Sequence, residues 1–292
     1  MNLQIRFIDF TEYKEAESVW AECFPEDSRE YIDCYFSTRT SPEYVLAAFS
    51  DGKMIGDMHI LPQTLRLFGR NIPIGFVSGV ATLPQYRRKG VASALFEVAF
   101  DYMKQKGYEA TVLQPFDPVF YAKYGYRPFV YRQYVKTDGD ASHTKITNEL
   151  SVPDAEFMLN TYDRFMHDRD GYAIRDLAYC NALIAEYSQS DARAIRLKDA
   201  YALLYTDESS AYVCELCGER ASIDELVRAL CAEYTHIEYP LPADFSPARA
   251  PSIAFNCLCA FNEKCLLSGT GYSSIDEAAA DNAGRFYSFD RY

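Results

Sequence analysis

The sequence GVATLPQYRRKGVA, residues 79–92, sets three consecutive cations, residues 87–89, directly before Gly90 and a segment of small and apolar residues. The residues before the stretch favour a strand, and the spacing of apolar residues after it predicts a helix that ends at Gly107. A loop at the N-terminus of a helix presents unpaired backbone N–H groups and the positive end of the helix dipole. The stretch therefore predicts an anion site at a strand-to-helix turn.

The segments on either side of this turn predict an α/β fold with a mixed sheet. Upstream, QIRFIDF favours a strand, TEYKEAESVWAECF has helical spacing, and a hairpin with Asp51-Gly52 in its turn begins an antiparallel meander. Downstream of the helix, EATVLQP favours a short buried strand, and Asp117 caps the brief helix VFYAKY. The residues that the spacing places on one face of the helix after Gly90 are Val91, Leu95, Val98 and Tyr102.

The uneven distribution of charge limits the classes of molecule that we expect the chain to bind. The net charge is −13, from 29 Lys+Arg and 42 Asp+Glu. Residues 1–140 have 16 Lys+Arg and 18 Asp+Glu, a net −2, whereas residues 141–292 have 13 and 24, a net −11. Such a chain repels polyanions, so we expect no nucleic-acid partner, and it attracts cationic substrates. Solubility is the alternative reason for the surplus of acid.

Hydropathy and cysteine content favour a cytoplasmic protein. No apolar run approaches the roughly 20 residues of a membrane span, and the first residues lack the apolar core of a signal peptide, so we expect no membrane partner. The nine cysteines are an odd number scattered through hydrophobic segments, which favours reduced core thiols over disulfides. Cys214 and Cys217 lie in a segment that favours a strand, where residues three apart point to opposite faces, so we expect no metal site.

Residues 45–130 resemble the GCN5-related N-acetyltransferases (GNAT). The resemblance is carried by GVATLPQYRRKGVASALFEVAFDYMKQKGYEATVLQP and FYAKYGYRPF, because the acetyl-CoA motif of that family is Arg/Gln-x-x-Gly-x-Gly/Ala between a strand and a helix. More narrowly, VSGVATLPQYRRKG and VFYAKYGYRPF resemble the branch that contains the enhanced-intracellular-survival (Eis) acetyltransferases. The resemblance implies the GNAT acyl-CoA N-acyltransferase fold, with acetyl-CoA as co-substrate and no metal.

Position by position, the resemblance implies a catalytic acid and a cofactor site. The acid is Tyr121, within FYAKYGY, whose phenol would donate a proton to the leaving CoA thiolate. The pantetheine arm would pair with a strand, and the pyrophosphate would lie at the turn and the helix start. The residues implied are Val80, Ala81 and Thr82 for the arm, and Arg87, Arg88, Lys89, Gly90, Val91 and Ala92 for the pyrophosphate.

The roles of further groups near the predicted site each have two possible interpretations. His59 either relays a proton from the amine or is a core histidine. Glu26 and Asp27 either line an amine pocket or belong to a solvated loop. In Eis-like enzymes the C-terminal carboxylate enters the cleft, which implies that Tyr292 is catalytic; the alternative is an aromatic tail that seals the core of a second domain.

The sequence divides into a catalytic domain, residues 1–140, and a second domain, residues 141–292. In the second half a hairpin (ARAIRLKDAYALLYT with SSAYVCELCGE), a helix and a strand echo the first half without a phosphate-binding turn, which predicts a degenerate GNAT-like domain. We expect an acetyl-CoA-dependent N-acetyltransferase that acts on a primary amine of a small cationic molecule. The alternative is a non-enzymatic acyl-CoA-binding module. A homo-oligomer is left open.

Overall fold

The computed structural model describes residues 2–139, 150–242, 252–282 and 285–288 of the chain. These residues form two compact units, each built around a run of neighbouring strands. The first unit comprises residues 2–129 and 255–280, and the second comprises the described residues from 130 to 254 together with 281–282 and 285–288.

The units differ from the division at residue 140 that the sequence predicts. Their boundary falls between Phe129 and Val130, and the segment Phe255–Ala280 groups with the first unit. Part of this segment pairs antiparallel with the strand Ala110–Leu113, so a strand from late in the chain extends the sheet of the first unit. The assignment of one catalytic and one degenerate domain stays a prediction.

The strands of the described residues are, in chain order, β1 (Leu3–Phe7), β2 (Val45–Ser50), β3 (Lys53–Leu67), β4 (Arg70–Thr82), β5 (Ala110–Leu113), β6 (Arg127–Asp138), β7 (Tyr172–Ala173), β8 (Ala192–Leu197), β9 (Ala200–Thr206), β10 (Ser210–Gly218), β11 (His236–Leu241) and β12 (Ser252–Ala260). The helices are α1 (Tyr13–Cys23), α2 (Arg29–Thr38), α3 (Val91–Gln105), α4 (Pro118–Ala122), α5 (Ala155–Met166), α6 (Leu177–Glu186), α7 (Arg220–Glu233), α8 (Glu263–Leu266) and α9 (Ile275–Asp281). Within these described ranges, no helix combines the length and the apolar sequence that crossing a membrane requires.

The strands of the first unit run in the order β1-β2-β3-β4-β5-β12. Neighbouring strands are antiparallel except β4 and β5, which are parallel and are joined by α3. One face packs against α1 and α2 through residues such as Trp20 and Tyr35, and the other packs against α3 through Leu95 and Phe96. The predicted mixed sheet is confirmed, and helices cover both of its faces.

Helix α2 is absent from the elements that the sequence predicts, although the sequence contains its signals. Ser28 caps the helix by accepting a hydrogen bond from the Tyr31 amide at 3.1 Å. Its buried residues, Ile32, Tyr35 and Phe36, have the three- and four-residue spacing of an amphipathic helix. The helix matters for the site because it covers one face of β3.

The glycine turns predicted in the first unit have left-handed backbone. Asp51 and Gly52, with φ of 52° and 79°, join β2 to β3 as a hairpin. Gly107, with φ of 78°, follows α3 and donates its N–H to the carbonyl oxygen of Lys104 at 3.0 Å. Both predictions are confirmed.

The inner face of α3 differs from the predicted face at one position. Val98 is 37% exposed, whereas Ala99 is fully buried. Positions 91, 95 and 99 follow one another at intervals of four and stay on the inner stripe, while position 98 is rotated by about 100° from position 99. The prediction that Val98 is buried is therefore wrong, because the smaller Ala99 occupies the core position.

The strands of the second unit run in the order β6-β11-β10-β9-β8. Strands β10 and β11 are parallel and are joined by α7, and the other neighbouring pairs are antiparallel. The segment ARAIRLKDAYALLYT, predicted as one strand, forms β8 and β9, because Lys198 turns the chain with a left-handed φ of 51°. Each unit thus contains an antiparallel strand pair followed by a helix and a parallel strand.

Cys214 and Cys217 do not point to opposite faces of β10. The pairing of β10 with β9 has a bulge between Val213 and Glu215, and an extra residue in a strand shifts the alternation of its side chains. Both cysteines are buried in one apolar cluster, beside residues such as Tyr162. The prediction about their orientation is wrong because strand periodicity does not anticipate a bulge.

The core of the second unit contains a buried ion pair. The Arg175 guanidinium donates to the two carboxylate oxygens of Glu215 at 2.7 and 2.9 Å, and the two side chains are 1% and 4% exposed. The Tyr201 hydroxyl also donates to Glu215, and the guanidinium lies 3.9 Å from the ring centroid of Tyr162. Both oxygens of this carboxylate therefore have donors, which is what a buried charge requires.

Candidate active site

Strands β4 and β5 pair along only part of β4. Their parallel register ends at Val77, which lies opposite Leu113. On its other side, β4 stays paired with β3 as far as Thr82. Residues 78–82 therefore present a backbone edge that has no strand partner among the described residues, and such an edge can pair with an extended ligand.

The turn after β4 is held by its own side chains and by unusual backbone angles. A 3₁₀ turn, Pro84–Tyr86, follows the strand, and Arg87 folds back so that its Nε donates to the carbonyl oxygen of Thr82 at 3.1 Å. Arg88 and Gly90 both have left-handed backbone, with φ of 61° and 85°, a conformation that few residues other than glycine adopt. The chain thereby turns sharply into α3.

The N-terminus of α3 offers donors to a ligand. Gly90 is the N-cap residue, and no side chain among the described residues caps the first turn there. A Cβ atom at Gly90 would have no atom within 4 Å, so the space beside this backbone is open. Uncapped N–H groups, the positive helix end and the neighbouring guanidinium groups together favour a bound anion.

A cleft of about 510 Å³ connects the free edge of β4 with this turn and with α4. Of the residues that the sequence assigns to acetyl-CoA, all but Lys89 line the cleft. These are Val80, Ala81, Thr82, Arg87, Arg88, Gly90, Val91 and Ala92. The Lys89 ammonium lies instead 5.3 Å from the ring centroid of Tyr86.

The cleft has further lining residues that the sequence does not single out. Cys23 and Phe24 come from the end of α1, which only the packing of α1 on the sheet brings to the turn. The hydroxyl oxygens of Ser93 and Tyr124 lie 3.1 Å apart, and the Lys123 ammonium lies 4.7 Å from the Tyr124 ring centroid. Ser93 directly follows the predicted turn and Lys123 lies within FYAKYGY, and these positions are the signals that sequence reasoning missed.

Tyr121 lies on α4, and its ring lines the cleft. Asp117 begins this helix, as predicted, by accepting a hydrogen bond from the Val119 amide at 2.9 Å. The Tyr121 ring makes edge contacts with Phe96 and Phe116, and the residue is 6% exposed. Burial raises the pKa of Tyr121 to about 12, so its hydroxyl keeps its proton at neutral pH.

His59 is fully buried on β3 and does not line the cleft. Its Nδ1 lies 2.9 Å from the hydroxyl oxygen of Tyr35, and burial lowers the pKa of His59 to about 3. A neutral imidazole held by a tyrosine favours the interpretation of a core histidine over that of a proton relay.

The two acids after α1 do not line the cleft formed by the described residues. Asp27 accepts a hydrogen bond from the Trp20 indole N–H at 2.8 Å, and Glu26 is exposed. Asp27 therefore fixes the end of α1, which positions Cys23 and Phe24. Tyr292, predicted as catalytic, lies outside the described residues.

Known proteins resemble this chain in family and in fold. Residues 4–129 match the family model of the acetyltransferase (GNAT) domain. Residues 4–129 of the first unit therefore carry a GNAT domain. The match confirms the family resemblance and the acetyltransferase class predicted from the sequence. No curated protein matches the chain.

Solved structures share the fold of the GNAT domain and of much of the rest of the chain. A GCN5-related N-acetyltransferase from Anabaena variabilis has a TM-score of 0.71 at 14% identity, with 89% of this chain and 73% of that chain covered. Eis1 from Mycobacterium abscessus has a TM-score of 0.66 at 17% identity, with 89% and 73% covered. A probable N-acyltransferase from Enterococcus faecalis has a TM-score of 0.68 at 14% identity, with 88% and 72% covered. At these identities the likeness shows the fold alone, and the Eis-like branch stays a prediction.

Proposed function

We propose that the GNAT domain transfers the acetyl group of acetyl-CoA to a primary amine of a small cationic molecule. The observation that carries the proposal is one cleft that joins the free edge of β4, the cationic turn and Tyr121. Strand edge and turn together suit an elongated ligand with a charged diphosphate end. Tyr121 adds a proton-bearing group to the same cleft.

The residues present fit acetyl-CoA, which when bound supplies the acetyl group as a thioester. Backbone groups of Val80, Ala81 and Thr82 offer hydrogen bonds to the amides of the pantetheine arm along the open edge. The turn from Arg87 to Ala92 offers N–H groups and guanidinium groups to the pyrophosphate. The open space beside Gly90 leaves room for a phosphate to approach the backbone.

Tyr121 is proposed to donate a hydrogen bond to the sulfur as it leaves. A thiol has a reference pKa of about 8.5, and that of Tyr121 is about 12, so complete transfer of the phenolic proton is unfavourable. The hydrogen bond still stabilises the thiolate and opposes its return to the carbonyl. Because the raised pKa keeps Tyr121 protonated, its ionisation should not reduce turnover below about pH 11.

The preference for a cationic acceptor follows from the charge of the chain. Residues 141–292 carry a net −11, from 13 Lys+Arg and 24 Asp+Glu, so the chain attracts cations over several ångströms of solvent. Salt screens such attraction, and kcat/KM for a good amine should therefore fall as ionic strength rises. A preferred acceptor that is neutral or anionic, with no salt dependence, would contradict this part of the proposal.

Release of free CoA tests the function. The protein is incubated with acetyl-CoA and one of four amines: a polyamine, an aminoglycoside, a lysine derivative or a neutral amine. The release of free thiol is measured over time, and the mass of the product is determined by mass spectrometry. A blank without acetyl-CoA is needed because Cys265 is an exposed thiol. We expect amine-dependent thiol release and an acetylated product. Stabilisation by acetyl-CoA without transfer to any amine would instead favour the acyl-CoA-binding module.

We also propose that the C-terminal carboxylate of Tyr292 orients the attacking amine. If that carboxylate orients the attacking amine, deletion of Arg291 and Tyr292, or addition of two glycines, lowers kcat/KM without unfolding the protein. A folded truncated variant with unchanged activity would rule the role out.

A further inference from the structure

The second unit has a pocket of its own, with a volume of about 300 Å³. It is formed by α5 and the residues that follow it, by the turn between β8 and β9, and by the turn from β10 into α7. Three arginines, two acids and one threonine are among its lining residues. Small-molecule sites in proteins begin at about this volume, so the pocket can hold a compact ligand.

Thr161, on α5, is a buried polar residue of this pocket. It is 1% exposed, and its hydroxyl oxygen has no hydrogen-bond partner among the described residues. Buried hydroxyl groups are nearly always hydrogen-bonded, because burial removes the water that bonds them in the unfolded chain. Since Thr161 lines the pocket, a polar group bound there can supply the missing hydrogen bond.

The side of the pocket that α5 forms is cationic. Arg164 follows Thr161 by three residues, so the two side chains lie on the same face of α5. Arg169 follows the end of the helix, and its Nε donates to the carbonyl oxygen of Phe165 at 3.2 Å. This hydrogen bond holds the Arg169 side chain beside α5. A hydroxyl group and guanidinium groups are donors that suit a carboxylate.

The side of the pocket that the two turns form is acidic. Asp199 lies between β8 and β9, and Glu219 is the N-cap residue of α7. The Glu219 N–H donates to the carbonyl oxygen of Asp199 at 3.4 Å, and a Cβ atom at Gly218 would lie 2.5 Å from that oxygen. Gly218 therefore lets the two turns touch, which brings the two acids close together. Within the described ranges, the Glu219 carboxylate has no ion-pair partner and caps no N–H group of α7.

The cationic and acidic sides meet at Arg164 and Asp199. Their Nη2 and Oδ1 atoms lie 3.8 Å apart, which is longer than a direct hydrogen bond. The two side chains are 60% and 57% exposed, so solvent weakens their attraction. Such a pair leaves both groups able to bind a ligand: the guanidinium can bind a carboxylate, and the Asp199 carboxylate can bind an ammonium group.

The charges of the lining favour a ligand that carries one charge of each sign. Three guanidinium groups and two carboxylates give the lining a net charge of +1. A ligand with negative charge alone is repelled by Asp199 and Glu219, and a ligand with positive charge alone is repelled by the arginines. A molecule whose carboxylate and ammonium groups are a few ångströms apart satisfies both sides of a pocket this small.

We propose that this pocket binds a free α-amino acid as its zwitterion. The carboxylate binds Arg164 and the Thr161 hydroxyl, and the ammonium group binds Asp199 and Glu219. The side chain of the amino acid contacts Phe165, which also lines the pocket, so an uncharged side chain is preferred. This site is additional to the proposed acetyl-transfer site and does not depend on it.

The pocket lies at the same point of the topology as the cleft of the first unit. Each is lined by a strand-to-helix turn and by a helix that precedes the antiparallel strands of its own unit. The turn of the first unit holds three cations, whereas that of the second begins with Glu219. A phosphate therefore suits the first turn and an ammonium group suits the second.

Calorimetry on the whole chain without acetyl-CoA tests the inference. Alanine, serine, leucine and phenylalanine are titrated as free amino acids to about 10 mM, which nearly fills a site with a Kd of about 1 mM. The matched probes are the deaminated acid and the decarboxylated amine of each. We expect at least one amino acid to bind, and its two analogues to bind at least about ten-fold more weakly. No binding by any of the four, or equal binding by a deaminated acid, overturns the inference.

Substitutions at exposed positions locate the binding. Glu219→Gln should weaken binding of the amino acid about ten-fold and strengthen binding of its deaminated acid, because the pocket loses an acid and keeps its cations. Arg164→Gln should weaken both. The matched control is Arg193→Gln, since Arg193 pairs with Glu233 outside the pocket lining. Equal affinities in Arg164→Gln and Arg193→Gln would place the binding elsewhere and overturn the inference.

Thr161→Val separates a role in binding from a role in the fold. Valine keeps the shape of the side chain and removes the unpaired hydroxyl, so the Tm of the free protein should rise. The affinity for the amino acid should fall at the same time, because its carboxylate loses a donor. Wild-type affinity in Thr161→Val overturns the proposed position of the carboxylate.

The outcomes also separate the inference from the proposed function. Stabilisation by acetyl-CoA should be unchanged in all three pocket variants, because none of these residues lines the cleft of the first unit. A protein that binds the amino acid in this pocket and acetylates no amine supports the inference and contradicts the proposed function. Acetyl transfer without any binding in the pocket gives the opposite result.

Discussion

The two units join a strand to a helix in the same order but through different turns. In the first, residues 83–90 lie between β4 and α3; in the second, Glu219 alone lies between β10 and α7. The first turn holds three consecutive cations before Gly90, whereas Glu219 brings a negative charge to the positive end of α7. An acid there repels a second anion. The topology that the two units share is therefore not sufficient for a phosphate site. The length and the positive charge of the turn before the helix distinguish the first unit from the second.

The units also differ in how they bury a carboxyl group. In the second unit Glu215 accepts hydrogen bonds from Arg175 and Tyr201. In the first unit Asp57 accepts none from the described residues. The charge of Glu215 is balanced by Arg175, whereas the burial of Asp57 without a partner destabilises the fold. Neutralising the two groups should therefore have opposite effects on stability.

Glu215→Gln should give the largest change. It leaves the Arg175 guanidinium buried without its counter-charge, and we expect a loss of about 3–5 kcal/mol in the free energy of unfolding. Denaturant unfolding at neutral pH measures the loss. Asp224→Asn, which removes an exposed pair with Arg220, should cost less than about 0.5 kcal/mol. Equal losses in the two variants would show that burial of the Glu215 pair has no energetic weight.

Arg88→Glu should remove the stabilisation that acetyl-CoA confers. At about 100 times Kd a ligand adds about 2.7 kcal/mol to the free energy of unfolding, and reversing a charge at the anion site abolishes this gain. The readout is the Tm with and without acetyl-CoA. Arg220→Glu, at the start of α7, should leave the gain intact, and Lys89→Glu, outside the cleft lining, should reduce it less. A full shift in Arg88→Glu would refute the assignment of the turn.

Tyr121→Phe should lower kcat about 10²-fold and leave acetyl-CoA binding unchanged, because it removes only the hydroxyl that stabilises the leaving thiolate. Steady-state kinetics with the best amine measures the effect. Tyr124→Phe is the control, since Tyr124 lines the same cleft and its hydroxyl lies 3.1 Å from that of Ser93. Equal activity in the two variants would make Tyr121 a packing residue.

Gly90→Ala and Gly107→Ala should distinguish the effect of backbone strain on stability from the effect of lost space on acetyl-CoA binding. Both glycines have left-handed φ, 85° and 78°, and a Cβ at either would meet no atom within 4 Å. Each substitution should therefore cost about 1–2 kcal/mol of stability. Only Gly90→Ala, at the N-cap of α3, should also weaken acetyl-CoA binding in calorimetry. A similar affinity loss in Gly107→Ala would mean that strain in α3, and not the space beside Gly90, controls binding.

Periodicity and turn chemistry predicted the elements that position the site. Helical spacing indicated α1 and α3, and left-handed turns confirmed the predicted hairpin at Asp51-Gly52. The bulge in β10 was not predictable, because no local signal marks a register shift. Cys23 reaches the cleft only through the packing of α1, which a sequence pattern does not encode. Asp57 did give a signal, an acid within the apolar strand MIGDMHIL, but its lack of a partner needs three dimensions.

Amide hydrogens along the open edge of β4 should exchange with solvent faster in the free protein than in the presence of acetyl-CoA. An unpaired strand edge is also a template on which another chain can add. On the proposed function, the pantetheine arm occupies the edge at residues 78–82 and closes it against both solvent and other chains. The co-substrate is then also a missing strand of the sheet, and its loss opens the edge to exchange with solvent.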